Sequence, residues 1–180
     1  RLAEATRVSA HCGYDEINLN VGCPSDRVQS GCIGAVLMTR PELVAECVQA
    51  MMRVSPVEVT VKCRIGVDDQ DEYAGLAAFV ETVQQSGCAH FIVHARKAWL
   101  QGLSPKENRE VPPLNYARVY RLKAEHPRLS VVINGGVSSV ADVRTHLEHV
   151  DGVMLGRTAY HEPYRLAEIE HALHGTPLPD

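Results

Sequence analysis

The chain has 180 residues, of which 45% are hydrophobic, and its formal net charge is −4 at pH 7. This material is enough for one sizeable core but falls short of the roughly 250 residues that a closed eight-stranded α/β barrel needs. No stretch approaches the roughly 18 uncharged apolar residues of a membrane span, and the first five residues follow a helical pattern, so we expect a soluble cytoplasmic protein.

Five short runs rich in β-branched residues recur along the chain, with helical periodicity between them. After a helical pattern over residues 1–12, strands are predicted at residues 16–21, 57–63, 90–94, 130–133 and 152–155, and helices at residues 41–54, 73–86, 115–125 and 141–149. This alternation implies a parallel sheet with right-handed crossovers. Because the strands are almost continuously apolar, we expect both faces of each one to be buried.

Polar or glycine residues follow every predicted strand, which favours a barrel over a doubly wound sheet with one switch point. Five strands cannot close a barrel. We therefore predict an α/β fold, a partial TIM (β/α)8 barrel with about five parallel strands, in which residues 1–180 form one catalytic domain. The remaining strands would precede Arg1, and any further domain would follow Asp180.

Cysteine and histidine, which often ligate metals, are frequent but scattered. The six cysteines form no CxxC pair, so disulfides and a zinc site are not expected. His146, His149, His171 and His174 lie in polar helical stretches, where surface histidines are the commoner case. We predict no metal site, and we place these four histidines on the surface.

Two of the predicted strands end in glycine-rich tips. The carboxyl ends of barrel strands meet at one mouth, so residues distant in sequence become neighbours there. Glycines let backbone N–H groups approach a phosphate, and an arginine adds a charged contact. The tips Asn134-Gly135-Gly136 and Gly156-Arg157 therefore indicate a phosphate cradle, although the sequence lacks a Rossmann fingerprint.

Lys62 and His94 end two neighbouring predicted strands. A lysine deep in a barrel mouth is costly to bury unless it faces an anion, and the edge of a reduced flavin ring is such a partner. His94 could donate a hydrogen bond to the same ring or to the phosphate. The alternatives are a lysine that extends to solvent and a structural core histidine.

Cys23 lies between glycine and proline just past the first predicted strand, where the chain turns and the side chain can face the mouth. Because an ordinary cysteine thiol is mostly protonated at neutral pH, such a residue can act as a general acid. A nucleophilic role would need a base partner, and the sequence identifies none. The remaining cysteines lack an activating context, and these are Cys12, Cys32, Cys47, Cys63 and Cys88.

The segment at residues 97–113, called here the basic loop, is long for a connection between a strand and a helix, and it contains Trp99, the only tryptophan. Residues 96–128 carry eight basic and three acidic side chains, which predicts a local positive region. An aromatic ring amid cations suits unpaired RNA. Solvated helix charges and a Trp99 packed into the body are the alternatives.

The run NLNVGCPS at residues 18–25, followed by SGCIGA at residues 30–35, closely resembles the active-site signature of the tRNA-dihydrouridine synthases. Residues 61–66, 93–96, 133–136 and 155–157 resemble later motifs of the family in the same order, so the likeness covers nearly the whole chain. The stretch KAWLQGLSPKENRE at residues 97–110 resembles the A subfamily, which acts on a uridine of the tRNA D-loop.

The resemblance implies an FMN-containing barrel followed by a helical tRNA-binding domain. It also implies NADPH, or NADH, as reductant and the conversion of uridine 20 or 20a of tRNA to 5,6-dihydrouridine. Cys23 would protonate C5 of the uracil after hydride delivery to C6, Asn20 would contact the flipped-out uridine, and Lys106 and Arg109 would contact tRNA. By position, the FMN-binding residues would be Lys62, His94, Asn134, Gly135, Gly136, Gly156 and Arg157.

Two other readings of the sequence remain open. One is a flavoenzyme like the dihydropyrimidine or dihydroorotate dehydrogenases, which reacts with a free pyrimidine beside a cysteine in a similar barrel. The basic loop disfavours it, because a small substrate has little use for such a loop. The other is a catalytically idle RNA-binding fragment, which tRNA binding without bound flavin would favour.

Overall fold

The computed structural model describes residues 1–25, 31–70 and 72–179. The strands are β1 (Glu16–Asn20), β2 (Glu58–Arg64), β3 (His90–His94), β4 (Ser130–Asn134) and β5 (Gly152–Met154). The α-helices are α1 (Leu2–His11), α2 (Pro41–Met52), α3 (Tyr73–Gln84), α4 (Tyr116–Glu125), α5 (Val140–Leu147), α6 (Arg157–His161) and α7 (Tyr164–His174). Short 3-10 helices span Gly34–Thr39 and Glu107–Arg109. The described elements thus alternate between strand and helix, as predicted.

The five strands form one sheet in the order β1-β2-β3-β4-β5, and every neighbouring pair is parallel. Each strand therefore pairs with the strand next to it in the sequence, whereas a doubly wound sheet reverses its order at a switch point. This arrangement confirms the predicted α/β fold with a partial barrel of five parallel strands.

The two faces of the sheet carry different residue types. Val61 and Cys63 of β2 are fully buried in the main hydrophobic core, together with Val44 of α2 and Val80 of α3. Side chains alternate along a strand, so Lys62 lies on the opposite face, toward the barrel interior. The helices therefore cover the apolar face, and the polar face forms the inner wall.

The expectation that both faces of every strand are buried is wrong for the two outer strands. β1 alternates between exposed and half-buried residues, and all three residues of β5 are half-buried. In contrast, β2 and β3 are mostly buried. Within the described residues β1 and β5 each pair with one strand only, and a strand needs neighbours on both sides to lose most of its exposure.

Local sequence explains where the helices begin. Ser139 caps α5 by accepting a hydrogen bond from the backbone of Asp142, whose carboxylate accepts one from the Ser139 backbone in return. The side chain of Asn115 similarly caps α4 at Arg118. No helix in the described ranges is long and apolar enough to cross a membrane.

His146 is not a surface histidine, and the prediction for it was wrong. Its side chain is buried on the inner side of α5, and its Nδ1 lies 2.7 Å from the hydroxyl of Tyr120 on α4. The tyrosines of α4 provide an aromatic surface for this ring, which the polar sequence around it did not reveal. His149, His171 and His174 are exposed, as predicted.

Candidate functional site

The carboxyl ends of the five strands surround a cavity of about 770 Å³, a volume typical of small-molecule sites. All but one of the residues predicted for the site line it: Asn20, Cys23, Lys62, His94, Arg109, Asn134, Gly135, Gly136, Gly156 and Arg157. Lys106 is exposed on the basic loop and is not among the lining residues. The structure thus brings residues from all five strand ends into one site.

Lys62 is held across the floor of the cavity. Its Nζ donates a hydrogen bond to Oδ1 of Asn134 at 3.0 Å, and Nδ2 of Asn134 donates to the carbonyl of Met154 at 2.8 Å. Burial lowers the pKa of Lys62, and the nearby Arg64 lowers it further. The side chain is therefore oriented within the cavity rather than extended to solvent.

His94 is buried beside this lysine, with 8% of its surface exposed. Burial lowers the pKa of His94 from 6.5 to about 2, and the positive charges of Arg64 and Lys62 contribute to the shift. The imidazole is therefore neutral at physiological pH. A neutral ring has one donor and one acceptor nitrogen, so it can donate to a ligand without adding charge.

Gly135 and Gly136 adopt backbone conformations that favour glycine, with φ of 113° and 74°. A Cβ atom at Gly135 would lie 2.5 Å from Cδ2 of His94, and one at Gly136 would lie 2.7 Å from both Leu114 Cδ1 and the Tyr116 hydroxyl. Neither position has room for a side chain. The bare backbone of this pair forms part of the cavity wall, as a phosphate cradle requires.

Arg157 begins α6 at the rim of the cavity and contacts the basic loop. Its Nη1 lies 2.8 Å from Oε1 of Glu110, and 52% and 44% of the two side chains are exposed. Exposed ion pairs are weak, typically about 0–1 kcal/mol, so this contact would not prevent Arg157 from turning to a phosphate.

Cys23 is half-buried in the loop after β1, with its thiol donating to the hydroxyl of Ser25 at 3.5 Å. The Cys23 carbonyl accepts a hydrogen bond from the Ala35 amide at 2.8 Å, and Oδ1 of Asn20 accepts one from the Gly22 amide at 2.9 Å. These bonds fix the loop on both sides of the thiol. Residue 30, which begins the second part of the signature, lies outside the described residues.

Arg64 is a cavity residue that the site prediction omitted. It is 4% exposed, and its Nε donates to the carbonyl of Gly22 at 3.0 Å while Nη1 donates to that of Asn108 at 2.8 Å. Burial lowers the pKa of Arg64 to about 10, which leaves it charged at neutral pH. Its position two residues after Lys62 places it on the same strand face, and this spacing was a usable signal.

The basic loop is built around one buried amide. Asn108 is fully buried; its Oδ1 accepts from the Trp99 amide at 2.8 Å, and its Nδ2 donates to the carbonyls of Trp99 and Leu103 at 3.0 and 3.2 Å. Nζ of Lys97 lies 4.0 Å from the centre of the half-buried Trp99 ring. The loop therefore has a defined conformation that presents Arg109 to the cavity.

The basic residues at 96–128 do not form a single positive region, which corrects the prediction from local charge. Arg121 and Lys123 lie on α4 and pair with Glu125 and Asp151, each at 2.8 Å. Glu125 lies one turn from Arg121 on the same helix, whereas Asp151 directly precedes β5, and a count of charges along residues 96–128 does not include it. The cations that line the cavity are Lys62, Arg64, Arg109 and Arg157, and only Arg109 comes from residues 96–128.

No group of three or more histidine, cysteine, aspartate or glutamate side chains suited to a metal ion occurs in residues 1–25, 31–70 and 72–179. The cavity instead combines cationic side chains, a neutral histidine, an open glycine backbone and a thiol. Such a set of groups fits an anionic organic ligand.

The family described as "Dihydrouridine synthase (Dus)" matches residues 1–179. A tRNA-dihydrouridine(20/20a) synthase of Shewanella oneidensis is 60% identical over 175 residues, which is 97% of this chain and 52% of the relative. The protein of the same name from Vibrio cholerae serotype O1 is 56% identical over 179 residues, 99% of this chain and 55% of the relative. The chain thus spans about half the length of the curated relatives that it matches.

Solved structures with much lower identity share the fold. A 2,3-dimethylmalate lyase in a trigonal crystal form superposes with a TM-score of 0.62 at 16% identity, covering 97% of this chain and 60% of that one. A phosphoenolpyruvate phosphomutase from Streptomyces platensis subsp. rosaceus gives a TM-score of 0.59 at 14% identity, with coverage of 97% and 62%. At such identities the likeness concerns architecture alone.

Proposed function

The chain belongs to the dihydrouridine synthase family, and from this we propose that it forms the catalytic barrel of an enzyme that reduces uridine 20 or 20a of tRNA to 5,6-dihydrouridine, with FMN as cofactor and NADPH as reductant. The observation that carries the proposal is the meeting of Cys23, Lys62 and the Gly135–Gly136 pair in one cavity. These groups offer a proton donor, a cation and a bare backbone, which are the groups that flavin-dependent reduction of a pyrimidine needs.

The cavity residues suit the charge of FMN, and the volume of about 770 Å³ is in the range of small-molecule sites. The bare backbone of Gly135 and Gly136 would receive the phosphate, with Gly156 and Arg157 at the neighbouring strand end. Any side chain at Gly135 or Gly136 would collide with a neighbouring residue, so the cradle depends on these glycines. When bound, FMN would supply the hydride that adds to C6 of the uracil.

Lys62 and His94 would act on the flavin ring. The lysine, held by Asn134 at 3.0 Å, would stabilise the negative charge that a reduced flavin carries on its N1/O2 edge. The neutral His94 would donate a hydrogen bond from the same side. Because these side chains are already oriented, little reorganisation would be needed as charge develops.

Cys23 would complete the reduction by giving its thiol proton to C5 of the uracil. The proton bonds to C5, the S–H electron pair remains on sulfur, and the resulting thiolate regains a proton from solvent. Asn20 would orient the substrate. Its Oδ1 is engaged by the Gly22 amide, so Nδ2 is the group that would donate to a uracil carbonyl.

The tRNA would be held outside the cavity by the basic loop. A uridine stacked in an RNA helix cannot reach a buried flavin, so the base must be extruded into the cavity. Lys106 directly precedes the short 3-10 helix Glu107–Arg109, Arg109 is its last residue, and both side chains are exposed. They would contact phosphates near the extruded nucleotide.

The test is dihydrouridine formation in unmodified tRNA, using the full-length protein with FMN and NADPH. C23A should lose most product while retaining flavin, whereas C12A, which removes an exposed cysteine at the end of α1, should react like the wild type. Equal activity of C23A and C12A would refute the general-acid role of Cys23.

Two further outcomes would replace the proposed function. Turnover of free uracil or orotate, without turnover of tRNA, would indicate a dehydrogenase that acts on a free pyrimidine. Tight tRNA binding by a full-length protein that retains no flavin would indicate an RNA-binding module. NADPH oxidation with each substrate, flavin absorbance and a tRNA-binding titration of the same preparation distinguish these results.

A further inference from the structure

Tyr116 lies directly behind the phosphate cradle. Its hydroxyl donates a hydrogen bond to the carbonyl of Gly135 at 2.8 Å. It is the first residue of α4, and the preceding Asn115 is anchored twice: its amide donates to the Ala95 carbonyl at 2.8 Å, and its side chain accepts from the Arg118 amide at 3.1 Å. The position of the Tyr116 backbone is therefore set by β3 and by the helix cap.

The hydrogen bond from Tyr116 determines how the peptide between Gly135 and Gly136 is turned. The chain contains no cis peptide among the described residues, so the Gly136 N–H points away from the carbonyl of Gly135 and hence away from Tyr116. Gly136 lines the cavity and is exposed. Glycine by itself would let this peptide rotate, because it has few conformational restraints.

The ring of Tyr116 packs in a group of four rings, called here the aromatic shell. Its members are Tyr116, Tyr120, His146 and His149. Tyr116 meets the ring of His146 edge to face at 4.5 Å, and Tyr120 stacks on His149 at 4.2 Å. The hydroxyl of Tyr120 lies 2.7 Å from Nδ1 of His146. Burial lowers the pKa of His146, which favours the uncharged ring in its packing against Tyr116.

We propose that Tyr116 is a positioning residue of the phosphate cradle: its hydroxyl holds the Gly135 carbonyl so that the Gly136 N–H faces the phosphate of the bound flavin nucleotide. The inference rests on the FMN site of the proposed function. It adds a residue that touches neither the flavin nor the substrate and that acts through the backbone alone. Loss of the Tyr116 hydroxyl should therefore lower the affinity for a flavin that carries a phosphate and leave the affinity for a flavin without one unchanged.

The experiment compares FMN with riboflavin, which lacks the phosphate, in the full-length apoprotein. Flavin fluorescence gives both dissociation constants for wild type and Y116F, and thermal denaturation gives the stability of each apoprotein. We expect Y116F to bind FMN about 3- to 10-fold more weakly, the loss expected for one neutral hydrogen bond. Riboflavin affinity should change less than about 2-fold, because riboflavin does not use the cradle.

Two variants serve as matched controls. Y73F removes a tyrosine hydroxyl that bonds to Glu125 on the outer helices, far from the cavity, and Y120F removes a hydroxyl from the aromatic shell while leaving the bond to Gly135 in place. Both should keep the wild-type ratio of FMN to riboflavin affinity. A loss in Y120F as large as in Y116F would show that the packing of the shell matters and that the hydrogen bond does not.

The possible results distinguish a failure of this inference from a failure of the proposed function. Wild-type FMN affinity in Y116F, or equal weakening of FMN and riboflavin, would overturn the positioning role and leave the flavin site intact. A wild-type protein that binds neither flavin would overturn the flavin site and the role of Tyr116 together.

Discussion

The ammonium group of Lys62 and the amide oxygen of Asn134 are 3.0 Å apart, so β2 and β4 are linked over the intervening strand β3. This contact turns a flexible side chain into a cation with a defined position. The side chain of Asn134 also donates a hydrogen bond to the carbonyl of Met154, which extends the connection to β5. The floor of the cavity is therefore a hydrogen-bonded unit that spans four strands.

Replacing Lys62 by glutamine should weaken FMN binding about 10-fold or more, because a charge-assisted interaction with the anionic cofactor is lost. Flavin fluorescence titration of the full-length apoprotein measures this. K123Q is the matched control, since Lys123 pairs with Asp151 on the outer side of the sheet. If K62Q bound FMN as tightly as K123Q does, Lys62 would not be a cofactor ligand.

Gly136→Ala should destabilise the protein by about 1–3 kcal/mol, because φ of 74° is strained for alanine and its Cβ would lie 2.7 Å from Leu114 and Tyr116. It should also lower flavin affinity. Urea denaturation and FMN titration measure the two effects. Gly75→Ala within α3 meets no atom within 4 Å and should be neutral or slightly stabilising; a G136A protein as stable as G75A would contradict the crowding described above.

His94 predicts a dependence of stability on pH. Its folded pKa of about 2 lies below the ordinary 6.5, so the unfolded chain binds the proton more tightly. The contribution of the neutral His94 to the free energy of unfolding is therefore fully present above about pH 6.5. It falls as the pH drops from there toward the folded pKa. Between about pH 7.5 and pH 5.5, H94Q should lose about 1 kcal/mol less stability than the wild type.

Urea denaturation at the two pH values checks this expectation. H174Q is the control, because it removes an exposed histidine at the end of α7 in place of the buried one in the cavity. His146, whose pKa burial also lowers, remains in both variants, so part of the acid sensitivity should persist in H94Q. Identical pH profiles for H94Q and wild type would mean that His94 titrates normally.

Arg109→Ala should weaken tRNA binding about 2- to 5-fold and reduce its salt dependence by about one phosphate contact. Filter binding of full-length protein across a salt series measures both quantities. R121A removes a cation that pairs with Glu125 on α4, away from the cavity, and should bind tRNA normally. Equal effects of the two substitutions would point to overall charge rather than to the basic loop.

The sequence was most informative about which residues meet in one cavity. Lys62, His94 and Asn134 lie at or beside the ends of predicted strands, and parallel strands bring their carboxyl ends together, so their common position was predictable while their roles are proposals. Arg64 was omitted although its spacing from Lys62 pointed to the same strand face, whereas its contact with Asn108, 44 residues away and buried in a loop, could not be predicted from the strand pattern. His146 was misplaced for a similar reason, since the tyrosines that enclose it belong to another helix. The exposure of β1 depends on which strands flank it, and local composition does not encode that.

The contacts of Arg64 also have a thermodynamic consequence. One guanidinium satisfies a carbonyl beside Cys23 and another in the basic loop, so neither loop can move away without leaving a buried cation short of a partner. Ordering one loop therefore lowers the entropic cost of ordering the other. Because the two loops share this cation, a substitution that loosens the basic loop also removes one of the contacts that hold Arg64 beside the thiol.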